Sequence, residues 1–329
     1  MTCTTELVDA VAGETSRTHF QVWGFGESIA IEALLASSNP SRMRAVTLLE
    51  GWAERPRFAA DPAAHVAPGV PLLQLAADGD ERGTLRRRAD ELAEVLRATR
   101  RGRYGARIHR PDLAGWEHQV WVDCMHLDGP FLAAHASFTR DMTWADAAAD
   151  AVLGHARVLQ DERSGLMSHG FDDLTGTRNG VHWGRGQGWA LLGLADTAAH
   201  LPQDHPARRE IVDRLTSLLD ALARTDDGSG RWHTVVDNDD TQLETSVSAF
   251  VALGAARAAR HQLVDARFRP MATRALATTV ACISQGRLMG VSDATPVGTT
   301  ARDYDVRPTS VSAWGQGPAL LALLEEAWQ

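Results

Sequence analysis

The sequence predicts an all-α toroid: an inner ring of six helices inside an outer ring of about six. Two observations carry this. Apolar residues recur at three- and four-residue spacing along most of the chain, and little alternates with the period of two that a strand needs. The helical segments are also of two kinds, and the kinds take turns. One kind is apolar on nearly every side and starts near Gly and Trp: Gly26–Ser37, Gly69–Ala76, Trp116–Ala136, Gly188–His200, Thr245–Ala259 and Gly315–Ala327. The other is striped and charged: Ser41–Glu54, Glu81–Ala98, Trp144–Gln160, His205–Arg224 and Ala266–Ser284, with Thr4–Thr15 as one more. A helix apolar all round is buried, and a striped helix lies outside it. An open superhelix of helix pairs uses the same alternation. The closed ring is favoured because the last segment is of inner type and has no polar capping face.

Composition narrows the function classes. With 329 residues, 44% of them apolar, the chain can bury a large core, and no linker divides it, so one domain over 1–329 is expected. A net charge of -9 argues against a nucleic-acid footprint. All 33 basic residues are arginine, which excludes a Schiff-base lysine and a phosphate-loop lysine. Cys3, Cys124 and Cys282 are odd in number and far apart, so no disulfide framework, redox pair or zinc spacing is implied. The latter two fall on apolar helical stretches and read as small buried hydrophobes. No apolar leader with a cleavage site and no bilayer-length uncharged run is found, so the expected location is cytoplasmic, with no membrane partner. Neither a His-Glu-x-x-His pair nor a Gly-x-Ser-x-Gly elbow occurs, and Gly184-x-Gly186-x-Gly188 lacks dinucleotide spacing. No metal and no cofactor are expected.

The long loops that enter the inner helices carry the chemistry: His109–Trp116, Ser164–Trp189, Asp226–Glu244 and Gln285–Trp314. In Gly180-Val181-His182-Trp183-Gly184-Arg185-Gly186-Gln187-Gly188-Trp189, two indoles, a guanidinium and an imidazole stand among glycines at the mouth of a helix. Flat apolar faces and a planar donor fork suit a sugar acid; a glycine-rich loop closing a helix over two core tryptophans is the equal alternative. Asp123 stands between Val122 and Cys124 in apolar company. A buried carboxylate either has partners or is pushed toward its protonated form, which is what a general acid needs. Asp128 reads as a cap for the Gly129-Pro130 break. His109, His126 and His169 are each explained as structural residues. Still, His109 and His169 precede inner helices, as do Trp23, Trp116, Trp121, Trp183, Trp189 and Trp314, which would bring them to one cleft or simply wedge the mouth of the ring.

These residues fall into an ordered set of motifs. They are Trp121-Val122-Asp123 with Pro130-Phe131, Gly165-Leu166 with His169, Trp183-Gly184-Arg185-Gly186-Gln187-Gly188-Trp189, Glu244-Thr245-Ser246 with Ser248-Ala249-Phe250, and Trp314-Gly315-Gln316-Gly317-Pro318-Ala319-Leu320-Leu321. In this order, from about Trp23 to the end, the chain resembles glycoside hydrolase family 105, the unsaturated rhamnogalacturonyl hydrolases, and the related family 88 unsaturated glucuronyl hydrolases. The resemblance implies an (α/α)6 barrel. It also implies an oligosaccharide substrate ending in a 4,5-unsaturated uronic acid, as a polysaccharide lyase leaves it, cleaved by acid-catalysed hydration of the double bond. Asp123 would be the acid, Arg185 would meet the uronate carboxylate, and His169 and His109 would meet hydroxyls or the carboxylate. Trp121, Trp183, Trp189 and Trp314 would wall the sugar. The family has Asn where Gln187 stands, and an aspartate that holds the water ahead of Val66-Ala67-Pro68-Gly69; here Asp61 and His65 are the nearest groups. A hydrolase of saturated uronides and a silent sugar-binding toroid are the competing functions. Self-association into a homodimer is compatible with the sequence.

Overall fold

The structure is a computed structural model and describes residues 5–20, 24–55 and 68–325. Among these, the inner helices are α2 (Phe25–Ala36), α4 (Gly69–Asp78), α6 (Cys124–Thr139), α8 (Gly184–His200), α10 (Thr245–Arg260) and α13 (Ala313–Leu324). The outer helices are α1 (Thr5–Thr15), α3 (Ser41–Ala53), α5 (Thr84–Ala98), α7 (Met142–Leu159), α9 (Arg208–Thr225) and α11 (Arg269–Ala281). Each inner helix packs on the next, and α13 packs back on α2, so the ring is closed and the open superhelix is excluded. Outer helices lie over the seams: α3 touches α2 and α4, α7 touches α6 and α8, and α1 covers the closing seam between α2 and α13. The fold is the (α/α)6 barrel. No described helix is long and apolar enough to cross a membrane.

The burial pattern follows the sequence pattern. Outer α9 buries one stripe, Ile211, Leu215, Leu218, Leu219 and Leu222, and leaves its charged face in water. Inner α8 buries residues on every side from Gly184 to Ala195. Close packing in the ring needs glycine at particular points. A Cβ on Gly188 would stand 2.4 Å from the Phe250 ring, and one on Gly317 would stand 2.8 Å from the Ala30 amide across the closing seam. These residues are glycine because no side chain fits there.

An ionic pair and an ionic triad are built into this core. Arg107, ahead of α6, grips Asp128 on α6 through Nε–Oδ2 at 2.6 Å and Nη2–Oδ1 at 2.7 Å, with both side chains fully buried. The Asp128 carboxylate raises the affinity of this guanidinium for its proton against the cost of burial. Near the C-terminal ends of the inner helices, Arg257 on α10 bridges Glu32 on α2 and Asp196 on α8, at 2.5 and 2.6 Å.

The structure departs from the sequence expectations at three places that bear on the site. The segment Trp116–Ala136 is not one helix. Its first part turns and forms strand β1 (Gln119–Trp121), which pairs antiparallel with β2 (Gly170–Asp172), and β2 pairs with β3 (Thr177–Arg178). Cross-strand partners claim the β1 backbone before a helix can form. Helix α6 therefore starts at Cys124, and Asp123 takes the cap position at its head. Second, Gly129 and Pro130 do not break α6, which runs through to Thr139, and Asp128 binds Arg107 instead of capping. Third, the outer helix expected to reach Ser284 ends at Ala281. Ile283–Ser284 and Arg287–Leu288 then form the hairpin β4–β5, turned by Gln285 and Gly286, both at positive φ. Cys124 is buried as expected, while Cys282 is only partly so.

Asp128→Asn leaves a buried guanidinium without its counter-charge. The expected loss is about 3–5 kcal/mol of unfolding free energy in urea titration. A variant as stable as the parent would show that this pair does not hold the head of α6.

Candidate functional site

A cavity of about 890 Å³ opens at the end of the barrel where the inner helices begin. Its wall is made by the first turns of four of them. Phe25 and Glu27 come from α2, Asp123 from the head of α6, Trp183, Arg185 and Trp189 from α8, and Trp314 and Gln316 from α13. Trp116 and Trp121 also line the cavity, as do residues 293–296 and 310–312.

Asp123 reaches its place through backbone bonding. The amide N–H of Val122 donates to the carbonyl of His169 at 3.0 Å, continuing the β1–β2 pairing by one residue and setting Asp123 beside His169. The carboxylate is 7% exposed and makes no capping bond of its own. Its Oδ2 lies 3.3 Å from His169 Nε2, off the line a hydrogen bond requires, so both atoms remain unpartnered. Two further buried polar atoms on this wall lack partners, Trp183 Nε1 and Ser312 Oγ. Buried polar atoms are nearly always bonded in folded proteins. Three on one concave wall, an acceptor, a donor and a hydroxyl, describe a place for a polar ligand.

The residues singled out in the sequence fall into two layers. Trp121, Trp183, Arg185, Trp189, Trp314 and Asp123 line the cavity. His109 and His169 stand behind that wall. His109 stacks on Trp121, with ring centroids 4.1 Å apart, and on Phe25 at 5.8 Å. Its Nδ1 faces Cys124 Sγ at 3.5 Å. Burial, with help from the nearby Arg107 charge, pulls its pKa down to about 3. His169 is fully buried, its ring 4.3 Å from that of Trp183. His126 lies deeper on α6, beside Trp189. His65, Asp61 and Trp23 lie outside the described residues.

Arg185 is 2% exposed and lies between two indoles, 4.6 Å from the Trp183 ring and 5.6 Å from that of Trp314. Its Nη1 donates to the Ser292 carbonyl at 3.0 Å and Oγ at 2.9 Å, and its Nη2 to the Asp293 carbonyl at 2.9 Å and Thr295 Oγ1 at 3.2 Å. Glu244 Oε1 is 3.5 Å from Nη1. Burial lowers the pKa of this guanidinium despite the carboxylate. Trp183 and Trp189 are core residues, each 2% exposed, and they also form cavity wall. Gln187 stands where family 105 has Asn. It pins the preceding loop to α8, accepting from the Met167 amide at 2.8 Å and donating to the Met167 carbonyl at 2.8 Å.

Sequence reasoning missed Tyr304, Ser312 and Phe25. Tyr304 lies on a one-turn helix, α12 (Ala301–Asp305), inside the loop before α13; its hydroxyl is 2.8 Å from His169 Nδ1. One signal was available: the chain has only two tyrosines, and this one sits in a loop rich in small and polar residues. Among the described residues, no group of His, Cys, Asp and Glu is disposed to hold a metal ion.

The fold is an (α/α)6 barrel, and its cavity has a buried carboxylate on an indole-rich wall. Comparison with known proteins gives the family. Residues 43–327 match the model of Glycosyl Hydrolase Family 88, and the chain belongs to that family. The unsaturated rhamnogalacturonyl hydrolase YesR of Bacillus subtilis is 30% identical over 243 residues, covering 72% of this chain and 69% of that protein. Among solved structures, a possible family 105 member from Salmonella enterica superposes with a TM-score of 0.87 at 22% identity, over 98% of this chain and 93% of the other. The unsaturated glucuronyl hydrolase of Bacillus sp. GL1 gives 0.73 at 18% identity, over 97% and 95%.

The buried histidines tie stability to pH. His109, with its pKa near 3, and His155, pulled by burial down to about 4, stay neutral in the folded chain. In the unfolded chain both take up a proton near pH 6.5. Above that pH they add no slope. As pH falls from about 6.5 toward 4, the unfolded state binds protons that the folded state refuses, and stability drops. Thermal unfolding across that range should show the fall, and His109→Asn should flatten it. An unchanged slope in the variant would remove His109 from this account.

Proposed function

We propose that the whole chain acts as one catalytic domain that releases a terminal 4,5-unsaturated uronic acid from lyase-generated oligosaccharides. Asp123 serves as the acid. The observation that carries this reading is the unpartnered Asp123 carboxylate on the wall of a cavity lined by indoles, and the relatives named for unsaturated uronides support it. The protonated Asp123 gives its proton to carbon 4 of the enol ether. The positive charge that develops at carbon 5 is shared with the ring oxygen. Water adds at carbon 5 and returns a proton to the Asp123 carboxylate. The new hemiketal opens to a ketone, and the hemiacetal left at carbon 1 collapses and frees the saturated sugar. No covalent glycosyl-enzyme forms.

Trp121, Trp183, Trp189 and Trp314 enclose the planar sugar and keep bulk water from the reacting bond. Trp183 Nε1 and Ser312 Oγ supply a donor and a hydroxyl for its polar edge. In this reading Arg185 acts on the uronate by its charge, set between two indoles, and by fixing Ser292–Thr295. His109 and His169 serve from behind, by holding Trp121 and Asp123. A saturated-uronide mechanism needs a second carboxylate about 6.5–9.5 Å from the first if it inverts. Of the carboxylates near in sequence to the site loops, Asp128 is held by Arg107, Asp172 by the Thr175 amide and Asp173 by the Arg103 amide. The reading carries with it a cytoplasmic enzyme that processes imported oligosaccharides, and cell fractionation checks that part.

The test follows the ultraviolet absorbance of the conjugated enol-ether acid. It should fall when the enzyme meets unsaturated disaccharides prepared from pectin, glycosaminoglycan, ulvan or gellan. Asp123→Asn should slow this by about 10²–10⁴-fold, with the fold intact by circular dichroism. Wild-type rates in the variant, or no absorbance change with any of the four, would sink the reading.

A further inference from the structure

A line of hydrogen bonds runs from the backbone to His169, the neighbour of the acid, and each link fixes the next. Asn179 accepts at Oδ1 from the Gly170 amide at 3.1 Å and donates from Nδ2 to the Gly298 carbonyl at 2.9 Å. A backbone N–H and a backbone C=O cannot exchange roles, so the orientation of this side-chain amide is determined. Its second Nδ2 hydrogen goes to the Tyr304 hydroxyl at 3.1 Å, which also accepts the Gly298 amide at 3.0 Å. Both acceptor positions of the phenol are then filled. Its own hydrogen points to the remaining partner, His169 Nδ1, at 2.8 Å. That nitrogen accepts, so the imidazole proton sits on Nε2, the atom 3.3 Å from Asp123 Oδ2. A doubly protonated His169 would bring a third donor to a phenol with no free acceptor and would leave the phenol hydrogen without a partner.

We propose that Tyr304 is a positioning residue for the hydration reaction: it locks His169 in the Nε2–H tautomer, so that His169 donates to the Asp123 carboxylate and does not compete for its proton. The proposal rests on Asp123 being the acid. After Asp123 has given its proton to carbon 4, it carries the negative charge, and the neutral His169 N–H is the nearest donor to stabilise it. When water returns the proton, it goes back to Asp123, because the other imidazole nitrogen is occupied by the phenol hydrogen. The loose 3.3 Å contact is of the kind that tightens when substrate closes a site. Trp183, packed on the His169 ring, and the backbone bond from Val122 to His169 keep the imidazole in register with the acid.

Two measurements test this. Long-range proton–nitrogen NMR on protein labelled at histidine, with His169 assigned by loss of its signals in His169→Gln, reports the tautomer in the wild-type protein. The expected result is a protonated Nε2 and a bare Nδ1. A proton on Nδ1, alone or with one on Nε2, overturns the proposal whatever the activity. In Tyr304→Phe the tautomer should become mixed, and kcat should fall about tenfold to a hundredfold, the scale seen when an outer group that orients a reactive one is lost. KM should stay within about twofold. Wild-type kcat in that variant, or a loss confined to KM, overturns it also. If the variant does not fold, the wild-type spectrum still decides. An inactive Asp123→Asn beside a His169 protonated at Nδ1 would defeat this proposal and leave the acid assignment standing. A fully active Asp123→Asn would defeat both.

Discussion

One backbone hydrogen bond organises the mouth of this barrel, that from the Val122 amide to the His169 carbonyl. It joins two loops that belong to different helix pairs, and it does so at the point where β1 gives way to α6. Everything chemical is arranged around it. On one side the chain turns into a helix with Asp123 at its head; on the other the His169 ring packs at a tilt against Trp183. A barrel of helices supplies a rigid rim but no natural way to bring residues of neighbouring loops within 3–4 Å of each other. The short sheet β1–β2–β3 supplies it, because strand pairing fixes register to a single residue.

The rim itself is held by groups with little freedom. The buried Arg107–Asp128 pair anchors the second turn of α6, one turn below Asp123. Gln187 ties the loop that carries His169 to α8, and Arg185 ties the Ser292–Thr295 segment to the same helix. The guanidinium that looks most like a ligand-binding group in the sequence, that of Arg185, thus spends most of its hydrogen bonds on the protein. A wall made rigid in this way needs no reorganisation when charge moves within it, which is the condition for electrostatic stabilisation.

The architecture was legible because it depends on a coarse property, the alternation of all-round apolar and striped helices, which survives errors of a few residues at each boundary. The burial of Asp123 was legible for a related reason: a lone carboxylate in apolar company is costly enough to need an explanation. What could not be read was local. Nothing in the run Trp116–Ala136 says that its first part pairs with Gly170–Asp172, because that pairing is decided by a segment about fifty residues away. The paired states of Asp128 and Arg185 were hidden likewise, since their partners, Arg107 and Ser292–Thr295, are remote in sequence. Tyr304 was invisible for the same reason, standing 135 residues from the imidazole it touches.

The direction of the inner helices has a consequence for how an acidic sugar arrives. Four of them present their first turns to the cavity, and the positive ends of their peptide dipoles converge there. The chain as a whole carries a net charge of -9, so an anionic oligosaccharide is repelled at long range and attracted only once inside the mouth. Salt screens the first force far more than the second, since charges in partly buried contact are screened much less than charges far apart in solvent. Capture of an acidic substrate by such a molecule would therefore be helped, not hindered, by moderate ionic strength, the reverse of what holds for a basic binding protein.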